Sequence, residues 1–276
     1  MIDMDEQNMI RANGARLRKP LQQIRIAESI AAELRTRILN ADEGAVLPKQ
    51  DELVAEFQVS YPSVREALRI LETEGLITVR RGNVGGSQML RPDASSAAYS
   101  LGLALQATKV RLSDLGDAVV RLEPQCAAMC VESADKDQVL PKLRQNLEET
   151  RALLDDDPHF LVKAREFHDL LVTSSGNRTT ELIVRSLVAL WSAQEEAVEE
   201  VMAARGEAYT RADRQVVVNA HAKIIARMEA GDASGAERAV RRHNEAIRDT
   251  YISRVDVNEI VDAACARARR SFQALV

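Results

Sequence analysis

The sequence predicts a mainly α chain in two parts. Three helices and a small β-hairpin come first, and an all-helical antiparallel bundle follows. Three observations carry this. Aromatic residues are only 3% of the 276 residues, while Ala, Leu, Val, Glu and Arg abound, a mixture that favours helices over strands. Apolar residues recur at three- and four-residue steps over most of the chain. One short stretch, residues 76–90, breaks that period with two extended runs around a glycine-rich turn.

Residues 1–20 lack helical periodicity and end in Arg11, Arg16, Arg18 and Lys19, the pattern of a flexible basic arm. A first helix is expected over 24–39, where Ile26, Ile30, Leu34 and Ile38 repeat at four-residue steps. Residues 40–44 break it. Pro48 opens a short second helix with Leu53, Val54 and Phe57 inward, and Gln58-Val59-Ser60 makes a tight turn. A third helix runs to Glu74 with Val64, Leu68 and Leu71 on one face, and Gly75 stops it, as glycine does just past a helix C-terminus. Leu76-Ile77-Thr78-Val79 pairs with Gln88-Met89-Leu90. Residues 21–91 are thus expected to be a winged helix-turn-helix, and the Ser/Ala-rich residues 92–111 a linker. Helices near 113–132, 136–154, 158–174, 179–203, 210–230 and 233–252 fill a domain over 112–253. Residues 254–276 are expected to be a helical tail.

The longest uncharged run, residues 94–108, is fifteen residues and carries several polar side chains. A bilayer span needs about 20 mostly apolar residues, so no membrane partner is expected. The acidic start MIDMDEQNMI is no secretory signal, and three cysteines make no disulfide framework. Cys126 and Cys130 are read as buried small apolar residues. The expected compartment is the cytoplasm. The net charge of −5 lies wholly in residues 92–276, because residues 1–91 hold 13 basic and 13 acidic side chains. A nucleic-acid interface must therefore come from local clustering.

In a helix-turn-helix the second helix of the pair enters the major groove. With Val64, Leu68 and Leu71 inward, Tyr61, Ser63, Arg65 and Arg69 fall on or near the outer face. The hairpin tip adds Arg80, Arg81 and Gly82. The stretch LPKQDELVAEFQVSYPSVREALRILETEGLITVRRGNVGG resembles the DNA-binding domain of the GntR family of bacterial transcription regulators. The resemblance implies that Ser60, Ser63, Arg65, Arg81 and Gly82 contact operator DNA; Arg69 on the outer helix face, Arg80 at the hairpin tip and Lys49 are expected to join them on position and charge. The family usually carries Arg where this chain has Asp51 and Tyr61, so Tyr61 is read as an altered base reader.

Of the four histidines, His221 and His243 lie 22 residues apart around the turn at residues 231–235. On an antiparallel helix pair both then stand about 15–18 Å from the turn, at one height. His168 lies on a third helix. Three imidazoles are enough for an open zinc or nickel site. The pieces DLGDAVVRLEP, REFHDLLVTSSGN and HAKIIARMEAGDASGAERAVRRH resemble the all-helical FCD effector domain of the FadR-type GntR subgroup. In its metal-binding members an Asp and three His hold a divalent ion. The resemblance assigns the three His to His168, His221 and His243 and puts the Asp four residues before the first, where this chain has Ala164. Either the three histidines hold the ion without that carboxylate, or the cavity binds its effector without metal, as acyl-CoA-responsive members do. Arg121 is expected to grip an effector carboxylate, or else to form a structural salt bridge.

The resulting expectation is a ligand-responsive regulator, not an enzyme, that binds a palindromic operator as a homodimer and answers to an organic acid or acyl-CoA. The alternative is a metal-dependent hydrolase built on the three histidines. No general base or nucleophile motif accompanies them.

Overall fold

In a computed structural model, residues 21–42, 45–80, 86–133 and 136–266 are described. The basic arm, Arg81, Gly82 and residues 267–276 of the tail lie outside them. The chain divides into two compact units, Met1–Pro92 and Asp93–Val276.

The first unit holds α1 (Leu21–Asn40), α2 (Gln50–Phe57), α3 (Tyr61–Thr73), β1 (Ile77–Arg80) and β2 (Gly86–Met89). Gln58, in the left-handed region at φ 52°, makes the turn between α2 and α3, and Gly75 at φ 73° ends the α3 segment. The strands pair antiparallel from Ile77 opposite Met89 to Arg80 opposite Gly86. Val46 bridges to Gln88, extending the wing by one edge contact. Ile30, Leu34, Ile38, Leu53, Val64 and Leu71 close the core. Ile26, expected on the buried stripe of α1, is instead exposed.

The second unit is helical: α4 (Ala94–Ala107), α5 (Leu112–Glu132), α6 (Lys136–Ala152), α7 (Asp157–Thr173), α8 (Arg178–Ala204), α9 (Arg211–Glu229) and α10 (Ala233–Ile252). Side-chain caps fix several starts. Asn177 accepts from the Thr179 and Thr180 amides, Thr210 and Asp213 cap α9 reciprocally, and Asp232 accepts from the Gly235 amide. Phe160, Phe167, Leu171, Ile224, Met228 and Val240 belong to one core cluster. Leu115, Leu190, Trp191 and Tyr251 belong to another.

Two expectations fail here. Residues 92–111 are not a linker, because α4 occupies most of them and packs on α8. Its Gly102 lies so close that an added Cβ would stand 3.2 Å from Leu190 Cδ1. Its Ser/Ala composition hid the high helix propensity of Ala and Leu. Residues 254–262 are not a helical tail but an irregular strap of turns with a single bridge to Arg111, and helix resumes only at 263. The Leu112 amide donates to the Glu259 carbonyl and the Val261 amide to the Val110 carbonyl. Gln194 grips Asp262 on both sides, its Nε2 donating to the carbonyl (2.8 Å) and its Oε1 accepting from the amide (3.0 Å). Among the described residues no helix is long and apolar enough to cross a membrane.

Candidate functional site

The α9–α10 hairpin brings His221 and His243 to the same height, and their Nε2 atoms lie 3.0 Å apart. His168 comes from α7. One nitrogen of each of the three rings lies within 4.8 Å of the others, and all three residues are buried. Phe167 stacks on the His221 ring at 3.9 Å between centroids, and the His168 and His243 rings stack at 5.2 Å. The fourth histidine, His159, is exposed and bonds Asp156.

The carboxylate that the sequence leaves unfilled on α7 is supplied in another way, from α5. Glu123 is buried; its Oε1 lies 2.5 Å from His168 Nδ1, and its Oε2 accepts from Asn244 Nδ2 at 2.9 Å. This leaves the other His168 nitrogen to face the cluster, the arrangement by which a carboxylate orients a metal-binding imidazole. Pro124 follows directly. Lacking an N–H, it cannot bond the Val120 carbonyl, which accepts from Arg241 Nη1 instead. Ala164, where the Asp was expected, is buried in the wall of the adjoining cavity.

Electrostatics separate the rings. Burial opposes charge on His168, but the Glu123 carboxylate prevails and raises its pKa. Burial holds His221 well below the usual range, helped by His243 and His168. Burial and then His168 push His243 down to about 3. His221 and His243 are thus neutral near pH 7, the form that binds metal. The His221 Nδ1 is buried without a hydrogen-bond partner. Two nitrogens on one tetrahedral zinc stand about 3.3 Å apart, so the observed pair needs to open only slightly. The residues present therefore fit a divalent ion held by His168, His221 and His243. Such an ion would supply a Lewis-acidic anchor for ligand oxygens.

Beside the cluster lies a cavity of about 230 Å³. Val119, Val120, Leu161, Val188 and Trp191 give it an apolar wall, and Glu123, His168, His243 and Asn244 a polar one. Arg165 lies among three acids: Nη2 is 2.5 Å from Glu199, Nη1 3.4 Å from Glu196 and Nε 3.5 Å from Glu195. Tyr251 donates its hydroxyl to Glu199. Burial, against the pull of Arg165, raises the Glu195 carboxyl to about 7.

Arg121 does not reach this cavity. It is exposed on α5, two residues from Glu123, a step that turns a helical side chain to another face. Glu123 is engaged by His168 and Asn244, and no salt bridge between Arg121 and Glu123 is found. Cys126 and Cys130 are fully buried, and burial raises the Cys126 thiol to about 12.

On the first unit, Tyr61, Arg65 and Arg69 stand exposed on α3, Ser60 is exposed just before it, and Lys49 is exposed before α2. Arg69 is bound by Glu66, with Nε and Nη2 at 3.0 and 2.6 Å. Ser63, expected outside, is only 3% exposed. It shares the inward stripe of Ala67, four residues on, and its hydroxyl bonds Ser60. Arg80 closes β1.

Residues 26–84 match the family described as bacterial regulatory proteins, gntR family, and residues 114–246 match the FCD domain. Together they cover more than half of the chain. The chain is 29% identical over 246 residues to the HTH-type transcriptional repressor NanR of Klebsiella aerogenes, covering 85% of this chain and 88% of that protein. It is 27% identical over 255 residues to NanR of Citrobacter rodentium, covering 90% and 94%. A solved structure described as Streptococcus agalactiae GntR shares the fold, with a TM-score of 0.59 at 23% identity, covering 81% of this chain and 99% of that one. These relatives are regulators of transcription and not enzymes, which removes the hydrolase alternative. A winged helix-turn-helix matched as gntR and a helical domain matched as FCD, in that order along one chain, make it a member of the GntR family with a C-terminal FCD effector domain.

Proposed function

We propose that this chain is a cytoplasmic, ligand-responsive repressor that binds a palindromic operator as a homodimer and takes a small organic acid in its FCD cavity. The acid would lie beside a divalent ion, zinc or nickel, on His168, His221 and His243. The observation that carries this reading is the buried three-histidine cluster, oriented by Glu123 and open to a cavity. The repressor sense follows the NanR relatives. A cavity of about 230 Å³ suits a small acid better than an acyl-CoA.

On DNA, α3 would enter the major groove with Tyr61 and Arg65 nearest the bases. Lys49, Ser60, Arg80, Arg81 and Gly82 would contact the backbone around them. One reading helix covers a half-site, so two copies on a palindrome raise affinity and selectivity. The acid would act by favouring one of two arrangements of the dimer.

The test joins metal analysis to DNA binding. About one zinc or nickel per chain is expected, and it is lost in the His221→Ala/His243→Ala double variant. A gel shift selective for one sequence is expected to weaken steeply between low and moderate salt. No metal after dialysis against each ion would remove the metal from the reading. Binding without sequence preference would remove the operator.

A further inference from the structure

The cavity extends along α10. His243 and Asn244 stand in its wall at the histidine cluster, and Ile247, Thr250 and Tyr251 follow on the same helix, with Arg254 just past its end. The eight residue steps from His243 to Tyr251 are about 12 Å of helical rise. A ligand carboxylate held at the histidines therefore leaves the far end of the cavity to another part of the ligand.

Four arginines line the cavity, and they differ in what already holds them. Arg165 lies among Glu195, Glu196 and Glu199. Arg248 bonds Asp117 and Asp249. Arg214 donates to the Tyr209 and Thr210 carbonyls. No ion pair of Arg254 is found among the described residues. Its guanidinium carbon lies 4.7 Å from the centre of the Tyr209 ring. Asp213, an acid in the same wall, is engaged by the Thr210 amide and hydroxyl at 2.9 and 2.7 Å.

Stacking uses the flat face of a guanidinium, whereas its N–H donors point outward in the plane. Arg254 is half-buried, with its guanidinium carbon over the Tyr209 ring and its charge felt by Asp213; no hydrogen bond of its guanidinium is found among the described residues, so its donors can take a carboxylate in two parallel hydrogen bonds.

We infer that Arg254 is a second ligand anchor, so that the preferred ligand is an elongated dicarboxylic acid with one carboxylate at the histidine cluster and the other at Arg254. This rests on the organic-acid reading above and adds the length and the second charge. Arg254 also begins the strap that Gln194 and Val110 hold. A diacid therefore ties that strap to the cavity, and an acid with one charge does not.

The experiment is calorimetry on the full-length protein with α,ω-dicarboxylates of about four to about ten carbons, each beside its own monomethyl ester. The ester keeps the length and removes one charge. At the matching length the diacid is expected to bind at least about tenfold more tightly than its ester. Arg254→Gln is expected to erase that advantage and leave ester binding as it was. Hydrogen exchange over residues 254–262 is expected to slow with the diacid in the parent protein only. Equal binding of diacid and ester at every length overturns the inference, and so does an Arg254→Gln variant that weakens both alike. If neither compound binds at any length, the organic-acid reading has failed and Arg254 falls with it. If the ester binds and the diacid has no advantage, only Arg254 falls.

Discussion

The two units keep their reactive groups in opposite places. In the N-terminal unit, Tyr61 and Arg65 stand in water on one short helix, four residues apart. In the C-terminal unit, Glu123, His168, His221 and His243 come from four different helices and meet in the interior. DNA is held by charges that exchange counter-ions with solvent, so its contacts stay outside. The metal and small acid proposed above would need fixed orientation and a low dielectric, and the residues proposed to hold them are buried. In the first unit a substitution should therefore change binding and spare the fold. In the second it should change both together.

The largest effect is expected at Glu123. It satisfies two buried groups, His168 Nδ1 and Asn244 Nδ2. Glu123→Ala strands both, and stranded buried polar groups cost about 1–3 kcal/mol each. A loss of about 3 kcal/mol is expected from urea unfolding followed by the fluorescence of Trp191. On the metal reading proposed above, zinc affinity is expected to fall about tenfold or more as His168 loses its orientation. A variant with unchanged stability but lost metal would break the coupling asserted for this unit.

Glu195 gives a smaller effect that depends on pH. Burial raises its carboxyl from the ordinary 4.5 to about 7. Between those values the folded chain holds a proton that the unfolded chain has released. Stability therefore falls as pH rises through that window, by at most about 1.4 kcal/mol per pH unit. Glu195→Gln cannot titrate. It is expected to match the parent near pH 5 and to exceed it by about 2 kcal/mol near pH 8. Equal denaturant midpoints at both pH values would mean that Arg165 already neutralises the buried carboxylate.

The contrast between the units also explains what the sequence could reveal. The meeting of His221 and His243 was legible because a glycine turn midway between them sets both heights. The helices of the bundle were legible from period and breakers. Glu123 was not legible from the His168 helix, because the carboxylate arrives from 45 residues earlier in the chain. A signal existed: Glu123 lies on one inward stripe with Val119 and Ala127, and an acid on a buried stripe requires a partner. Ser63 misled in the same way, since its polar type outweighed its place beside Val64 and Ala67. The strap over residues 254–262 has no local period at all. Its course is set by Gln194 and by the Val110–Leu112 edge, which only the folded chain brings near.

In the exposed unit, the comparison sharpens between two arginines one turn apart. Among the described residues Arg65 forms no ion pair, whereas Arg69 is gripped by Glu66 through two hydrogen bonds. Arg65→Ala is expected to weaken operator binding by about 1–2 kcal/mol and to reduce the salt dependence if its contact is a phosphate. Arg69→Ala should cost less than about 0.5 kcal/mol, because its charge is already offset. Neither should move the unfolding midpoint by more than a surface substitution does, about 0.5 kcal/mol. Gel shifts over a salt series, with thermal melts beside them, read both quantities. Equal losses from the two variants would show that the Glu66 pair opens on DNA.

The smallest effect lies where the second unit meets water. Gln194 holds the strap by two hydrogen bonds to the Asp262 backbone, yet the strap itself fully buries little besides Val261. Two bonds to a partly solvated segment are worth about 1 kcal/mol together, because water replaces much of what is lost. Gln194→Ala should therefore shift global unfolding by about that amount or less. Amide exchange over residues 254–262 should accelerate several-fold while the α9–α10 hairpin keeps its protection, since local opening costs less than global unfolding. If exchange quickened equally in the hairpin, the strap would be part of the cooperative core, and the boundary between a rigid interior and an adjustable edge would have to move outward to include it.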